Sequence, residues 1–213
     1  MFIYGGDIMP RDKTEAHEKI VAAATREFME YGFENASMRR IASAAGLTVG
    51  ALYRHFAGKE EMFAALVEPA IDELLAKYRE YCERGYETMK NGDIRRVWDE
   101  SESETGFFLD FIYDHFDVFK LLVCRSQGTR FEGFVHEIIL LEERSTLDYF
   151  ERMKEYGMTV RDVPQREFHV LVTSNVTAVF ETVVHDFSRD EAMHYARTLD
   201  EFFSAGWRKI LGI

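Results

Sequence analysis

The sequence predicts an all-α protein in two parts: an N-terminal three-helix bundle with a helix-turn-helix, and a larger antiparallel helical region behind it. Of its 213 residues, 46% are apolar and 30% charged, a composition typical of a globular protein. Only 3 prolines and 14 glycines interrupt the chain, which permits long helices and disfavours a turn-rich β-barrel. With domains of roughly 150 residues as a guide, we expect a helix-turn-helix domain at 10–58 and a second domain at 59–213.

Charge and cysteine content narrow the class of protein further. A net charge of −12 excludes a protein that coats nucleic acid with its whole surface, so any DNA contact must be confined to one patch. Cys82 and Cys124 are too few and too far apart for a disulfide framework or a zinc ribbon. No run approaches the roughly 18 to 20 apolar residues that cross a bilayer, and the first residues lack the apolar core of a signal peptide. We therefore expect a cytoplasmic protein with reduced thiols.

The first part of the chain carries the pattern of three consecutive helices. Apolar residues spaced by three and four predict an amphipathic helix from near Thr14 to Gly32. Ser37 can cap a second helix that stops at Gly46, and Thr48 can cap a third. Two short helices joined by a tight turn that contains glycine make a helix-turn-helix.

The segment that contains this motif is free of acidic residues. Residues 35–59 include four arginines and lysines, together with His55, and no aspartate or glutamate. Residues 67–213 hold 29 acidic and 18 basic side chains, so the acidity of the chain lies in its second part. The helix-turn-helix is therefore locally positive, as a surface that faces nucleic acid requires.

Helical periodicity continues through the second part of the chain. Ser188 and Glu191 have the spacing of a capping box, which indicates where the last helix begins. The predicted helices lie at residues 59–81, 93–115, 117–124, 131–156, 165–187 and 189–210.

Residues 13–66 contain a composite of motifs that is far more specific than a helix-turn-helix alone. It comprises Ile20 through Phe28, Gly32-Phe33, Ser37-Met38-Arg39, Ile41-Ala42, Ala45-Gly46-Leu47, Gly50-Ala51-Leu52-Tyr53-Arg54-His55-Phe56 and Lys59-Glu60-Glu61-Met62-Phe63. This composite resembles the DNA-binding domain of the TetR family of bacterial transcriptional regulators. The resemblance implies a homodimer that binds double-stranded DNA at a palindromic operator, acts by default as a repressor, and has neither enzymatic activity nor a cofactor.

The resemblance also implies which side chains meet DNA. Tyr53, His55 and Lys59 match positions that contact phosphate, whereas Arg54 is expected to read a guanine edge or to bind phosphate. Val49 departs from the family pattern, because many members have lysine there, and it is expected to contact a thymine methyl group instead. The expected DNA-binding residues are Ser37, Arg39, Thr48, Val49, Gly50, Ala51, Tyr53, Arg54, His55 and Lys59.

The aromatic content favours a ligand cavity in the second part. The chain holds 18 phenylalanines, mostly suited to a core, and such an excess can also line an apolar pocket. The resemblance implies a small hydrophobic or aromatic effector there, with effector and DNA each weakening the binding of the other. We expect it between residues 93–157 and 165–187. The expected ligand-binding residues are Trp98, Phe107, Phe111, Phe119 and Tyr149, with Arg125 or Asn175 as a polar anchor.

The last two predicted helices carry more apolar residues than one buried face requires. Left in water, that surface would promote aggregation. We therefore expect each helix to pair with its two-fold mate in a four-helix bundle, which resembles the usual interface of the family. The residues expected there are Val176, Val179, Phe180, Val183, Leu199, Phe202 and Phe203.

Two other functions remain open from the sequence. In one, the chain still binds DNA, but its second part recruits another protein and takes no small molecule. In the other, the chain is an all-helical enzyme for a hydrophobic substrate, which needs His136 or His169 near an acid in the cavity. No nucleophile motif or metal-ligand spacing supports the enzyme, so we expect no catalytic residue and no metal.

Overall fold

A computed structural model describes residues 11–90 and 104–212 of the chain, with side chains from residue 15 onward. Within these ranges the protein is helical and has no strand, which confirms the predicted fold class. None of the described helices is long and apolar enough to span a bilayer. The helices are α1 Arg11–Asn35, α2 Met38–Ala44, α3 Val49–Leu52, α4 Lys59–Lys90, α5 Glu104–Asp114, α6 Phe116–Cys124, α7 Phe134–Glu155, α8 Gln165–Val184 and α9 Arg189–Leu211.

The ends of α1, α2 and α3 follow from local turn and capping signals. Gly32 has φ 71° and interrupts the regular turns of α1. Gly46 has φ 70°, a left-handed conformation that glycine adopts without the penalty of a Cβ atom. The Ser37 hydroxyl accepts from a backbone N–H in the first turn of α2, and the Thr48 hydroxyl does the same for α3. The predicted helix-turn-helix is confirmed.

A buried carboxylate holds α1 and α2 together. Glu27 is 8% exposed, and its Oε1 accepts from the Ser37 backbone N–H at 2.7 Å and from Arg40 Nε at 2.8 Å. The Arg40 guanidinium also donates to the Asn35 carbonyl oxygen and lies 4.2 Å from the centroid of the Tyr31 ring. Burial of the charge is tolerated because charge-assisted hydrogen bonds satisfy it. Arg40 is therefore a structural residue of the helix-turn-helix.

Helix α4 joins the N-terminal unit to the rest of the chain. At its start, the Phe63 ring packs edge-on against Phe28 and Phe33, with centroids 5.2 and 5.6 Å apart. The sequence pattern predicts this helix only toward Tyr81, whereas α4 continues to Lys90. Its last turns are stabilised because Met89 is fully buried.

Helices α5 to α9 form the second part of the fold. Helix α9 packs along α5 and α8, while α8 packs against α6 and α7. Both halves of the capping box at Ser188 and Glu191 are present, which confirms the predicted start of α9. Helix α8 ends at Val184, three residues before the predicted end, and Asp186 follows with φ 53°. For the helix predicted at 93–115, residues 93–103 lie outside the described part of the chain.

Candidate nucleic-acid interface and internal cavity

Helix α3 and the turn that follows it present an exposed polar face. Arg39, Arg54 and His55 are exposed, and half of the Tyr53 side chain is accessible to solvent. Leu52 is fully buried on the opposite side and fixes the orientation of this short helix. Guanidinium, phenol and imidazole groups are donors for phosphate oxygens and for base edges. Four of the residues expected to bind DNA therefore share the surface of one small unit.

The N-terminal half of α3 has little side-chain bulk. Thr48 and Gly50 are exposed, whereas Val49 and Ala51 are half-buried. The Thr48 hydroxyl accepts from the Ala51 N–H at 3.1 Å, so it serves as the helix cap. A Cβ atom added at Gly50 would meet no atom within 4 Å. The backbone of α3 is thus open to close approach by a groove wall.

Lys59 and Ser37, also expected to bind DNA, form hydrogen bonds within the N-terminal unit. The Lys59 ammonium donates to the carbonyl oxygens of Glu34 and Ala36, at 2.9 and 3.4 Å. It also lies 4.5 Å from the centroid of the Phe33 ring. Since an ammonium has three protons, one donor remains for a phosphate.

An internal cavity of about 100 Å³ lies between α4, α5, α7 and α8. Each helix contributes apolar lining, among it Leu74 from α4, Phe108 from α5, Leu141 from α7 and Phe180 from α8. Ligand pockets for drug-sized molecules have volumes of roughly 300 to 1,000 Å³. The space therefore suits a single ring, and a larger ligand must move the helices apart.

Two carboxyl groups, Glu104 and Glu142, line this mainly apolar cavity. Glu142 Oε2 accepts from the Tyr78 hydroxyl at 2.6 Å. Among the residues that the structure describes, no hydrogen bond or ion pair to the Glu104 carboxyl is found. Burial, with added repulsion from Glu142 and Asp200, raises the pKa of Glu104 well above its usual range. Burial beside Glu142 likewise raises the pKa of the Tyr78 hydroxyl.

The structure distributes the residues expected to bind ligand over several places. Asn175 lies in the cavity lining, and Trp98 lies outside the described residues. The other five are not part of this lining: Phe107, Phe111, Phe119, Arg125 and Tyr149. Phe119 is fully buried in the core, for example, and Arg125 is exposed. Sequence reasoning missed Glu104 and Glu142.

The histidines do not enter the cavity. His169 Nδ1 lies 3.0 Å from Glu143 Oε2, but this pair faces a separate, open depression that includes Arg166. His136 is exposed. Within residues 11–90 and 104–212, no group of three or more metal-ligating side chains comes together. The pairing of a histidine with an acid that an enzyme requires is therefore absent from the described lining.

The segment 125–133, between α6 and α7, connects the N-terminal unit to the cavity-bearing part. The Phe33 N–H donates to the Arg125 carbonyl oxygen at 3.0 Å. The Arg130 guanidinium pairs with Glu68, and its backbone N–H donates to Glu60 Oε1 at 3.2 Å. These contacts join the segment to α1 and to the first turns of α4, the helix whose middle lines the cavity.

The residues expected at a dimer interface fall into two groups. Four are buried inside the protomer and pack in its own core, so they are unavailable to a partner: Val176, Phe180, Val183 and Leu199. Val179 lines the cavity, and Phe203 is half-buried. Phe202, by contrast, is 72% exposed, as are parts of Val170 and Val184. Phe202 is thus the expected residue that the exposed apolar surface of α8 and α9 retains, and Val170 and Val184 extend that surface.

Replacing Glu104 with glutamine is expected to stabilise the protein at neutral pH. Because its pKa is raised in the folded state, the folded chain binds more protons than the unfolded chain above about pH 4.5. The stability contributed by this carboxyl is therefore fully present below the unfolded pKa and is lost as the pH rises from there through the raised folded pKa. Glutamine does not titrate, so the variant does not lose this contribution to the free energy of unfolding as the pH rises. Melting curves should show the variant above wild type near pH 8, and close to it near about pH 4.

The exposed Glu137→Gln change on α7 serves as the control and should leave the melting temperature nearly unchanged at both pH values. An equal melting difference for Glu104→Gln at high and low pH would show that its charge is not the cause.

Comparison with known proteins agrees with this geometry. Residues 20–66 match the family model described as bacterial regulatory proteins, tetR family. Over 123 residues the chain is 25% identical to an HTH-type transcriptional regulator of Staphylococcus aureus, covering 58% of this chain and 62% of the relative. Over 53 residues it is 42% identical to the HTH-type transcriptional repressor AcnR of Corynebacterium glutamicum, covering 25% and 28%. The aligned regions thus span less than two thirds of the lengths of these relatives.

A solved structure extends the similarity to both parts of the fold. The TetR family transcriptional regulator PfmR from Thermus thermophilus matches with a TM-score of 0.58, over 87% of this chain and 97% of PfmR. The sequence identity is 21%, so this likeness concerns the fold.

Residues 20–66 are thus similar to the DNA-binding part of helix-turn-helix regulators of transcription, and the fold of the chain is similar to that of one such regulator. The match of residues 20–66 is to the TetR family, and it falls on the segment that forms the helix-turn-helix. The resemblance seen in the sequence is confirmed.

Proposed function

We propose that this protein is a homodimeric repressor that acts in the cytoplasm on a palindromic operator. A small hydrophobic or aromatic effector in the cavity releases it from DNA. The observation that carries the DNA-binding proposal is the exposed face of α2 and α3, where Arg39, Tyr53, Arg54 and His55 lie in a segment without acids. The relative AcnR is named a repressor, which supports repression rather than activation.

Helix α4 supplies a physical route between effector and DNA. Leu74 and Tyr78 in its middle line the cavity, while Phe63 near its start packs among the aromatic rings of the N-terminal unit. An effector that swells the cavity must displace α4, and the N-terminal unit moves with it. In a dimer, such a displacement changes the distance between the two recognition helices, so effector and operator oppose each other.

The dimer is supported by the apolar surface of the last two helices. Val170 on α8 and Phe202 on α9 are 60% and 72% exposed. A two-fold axis through this surface would bury both sets of side chains in a closed, isologous contact. Two DNA-binding units related by such an axis can meet successive major grooves about 34 Å or a multiple apart.

Fluorescence anisotropy with a palindromic duplex and a scrambled duplex tests the proposed DNA binding. We expect tighter binding to the palindrome and a steep loss of affinity with salt, because phosphate contacts release counterions. The net charge of −12 acts in the opposite sense, because added salt screens its repulsion from DNA, so a steep loss of affinity reports the local basic face. Equal affinity for both duplexes, or binding that is insensitive to salt, would contradict a sequence-reading interface.

A further inference from the structure

Among the residues that the structure describes, the cavity lining contains negative groups and no positive one. Glu104 and Glu142 both line it, and none of its described lining residues is lysine, arginine or histidine. The two carboxyls are close enough for their charges to interact, and Asp200 adds to the repulsion on Glu104. An unpaired carboxylate in apolar surroundings is costly unless a counter-charge or hydrogen-bond donors compensate it.

The two carboxyl groups differ in the hydrogen bonds that they accept. Glu142 accepts from the Tyr78 hydroxyl at 2.6 Å and from the Thr146 hydroxyl at 3.1 Å. Glu104 is half-buried, and none of the described side chains donates to it. An acceptor is thus aimed into the cavity without a described partner, and a positively charged donor would satisfy it most fully.

Aromatic rings stand beside these acids. Tyr78 and Phe108 both line the cavity, and their ring centroids are 5.7 Å apart. Ring faces attract a cation through their quadrupole, and this attraction is stronger where water is excluded. The same rings also suit an apolar or aromatic body. The negative charge and the aromatic lining therefore favour a ligand that combines a positive charge with an apolar or aromatic part over a neutral hydrocarbon or an acid.

We propose that the effector is a small lipophilic cation, such as an aryl-alkyl ammonium, whose positive charge lies between Glu104 and Glu142. This inference rests on the proposed effector function of the cavity. The ammonium group pairs with the carboxylates next to Tyr78, and the apolar part packs on Leu141 and Phe180. A cation at this place offsets the repulsion between the two carboxylates, because none of the described lining residues carries a positive charge.

Benzylammonium and benzyl alcohol provide a matched pair of probes, because they share ring, arm and size and differ in charge. We expect calorimetric titration of the full chain to show benzylammonium binding about ten-fold tighter or more. Glu104→Gln and Glu142→Gln should each reduce this preference toward parity, because the ammonium loses a charge partner that the alcohol does not have. Retained binding of the alcohol also shows that the variants are folded.

Glu143→Gln is the control, because Glu143 adjoins Glu142 in sequence but lies beside His169 and outside the cavity. It should retain the full preference for the ammonium. Equal affinities of the two probes for wild type, or a preference that survives both cavity variants, would overturn the cationic assignment and leave the effector cavity standing. Failure of both probes to bind would overturn the cavity as an effector site as well.

Discussion

Replacing Phe202 with glutamate is expected to convert the dimer into folded monomers and to lower the affinity for the palindrome about a hundred-fold or more, since linked binding heads gain at least that much in avidity. Phe202 is 72% exposed in the protomer, so the change leaves the core of the subunit intact. A glutamate at this position places two like charges in an apolar contact, where they lack partners. Light scattering reports the mass, and anisotropy with the palindromic duplex reports the loss of DNA binding.

Leu147→Glu on α7 is the matched control, because Leu147 is also an exposed apolar residue, at 42%, but lies on neither α8 nor α9. This variant should remain dimeric and bind the palindrome as wild type does. A wild-type protein that is monomeric at micromolar concentration, or a Phe202→Glu variant that stays dimeric, would refute the interface on α8 and α9.

Arg54→Ala is expected to relax the specificity at one base pair of each half-site by about 1 to 3 kcal/mol, because a bidentate contact to guanine is lost. Tyr53→Phe, one residue earlier, should weaken binding to all sequences by a similar factor, since a phosphate contact carries no sequence information. Affinities for the palindrome and for its single-base variants separate the two effects.

Arg144→Ala removes the same charge from an exposed position on α7, far along the chain from the helix-turn-helix, and should change neither affinity nor specificity. If Arg54→Ala weakened all duplexes to the same degree, Arg54 would be a phosphate contact and base reading would fall to other residues of α3.

The parts of the fold that depend on local chemistry were predictable from the sequence. Gly46 stops the helix that Ser37 caps, and Ser188 with Glu191 starts the last helix, because each of these signals acts within one or two turns. The acid-free segment predicted the exposed polar face for a similar reason. When a short segment forms most of a surface, the charge of that surface follows from the composition of the segment.

The cavity and the dimer surface depend on packing between distant helices, which periodicity does not resolve. Helices α8 and α9 have apolar residues on more than one side, and the pattern cannot tell which side meets the chain's own core. The protomer's own core encloses Val183, whereas Phe202 points outward. The acids left a weak signal, since Glu142 follows Ile138 by four residues and adjoins Leu141, and so lies on an apolar face. Only the assembled helices place it opposite Glu104.

Selection of bound duplexes from fragmented genomic DNA by the full chain, at low salt, tests operator recognition most directly. We expect strong enrichment of a palindrome whose half-site centres lie about 34 Å, one helical turn, or a multiple apart. The enrichment should disappear when Phe202 is replaced by glutamate. A selection in which wild type enriches no sequence would contradict the assignment of this protein as an operator-binding regulator.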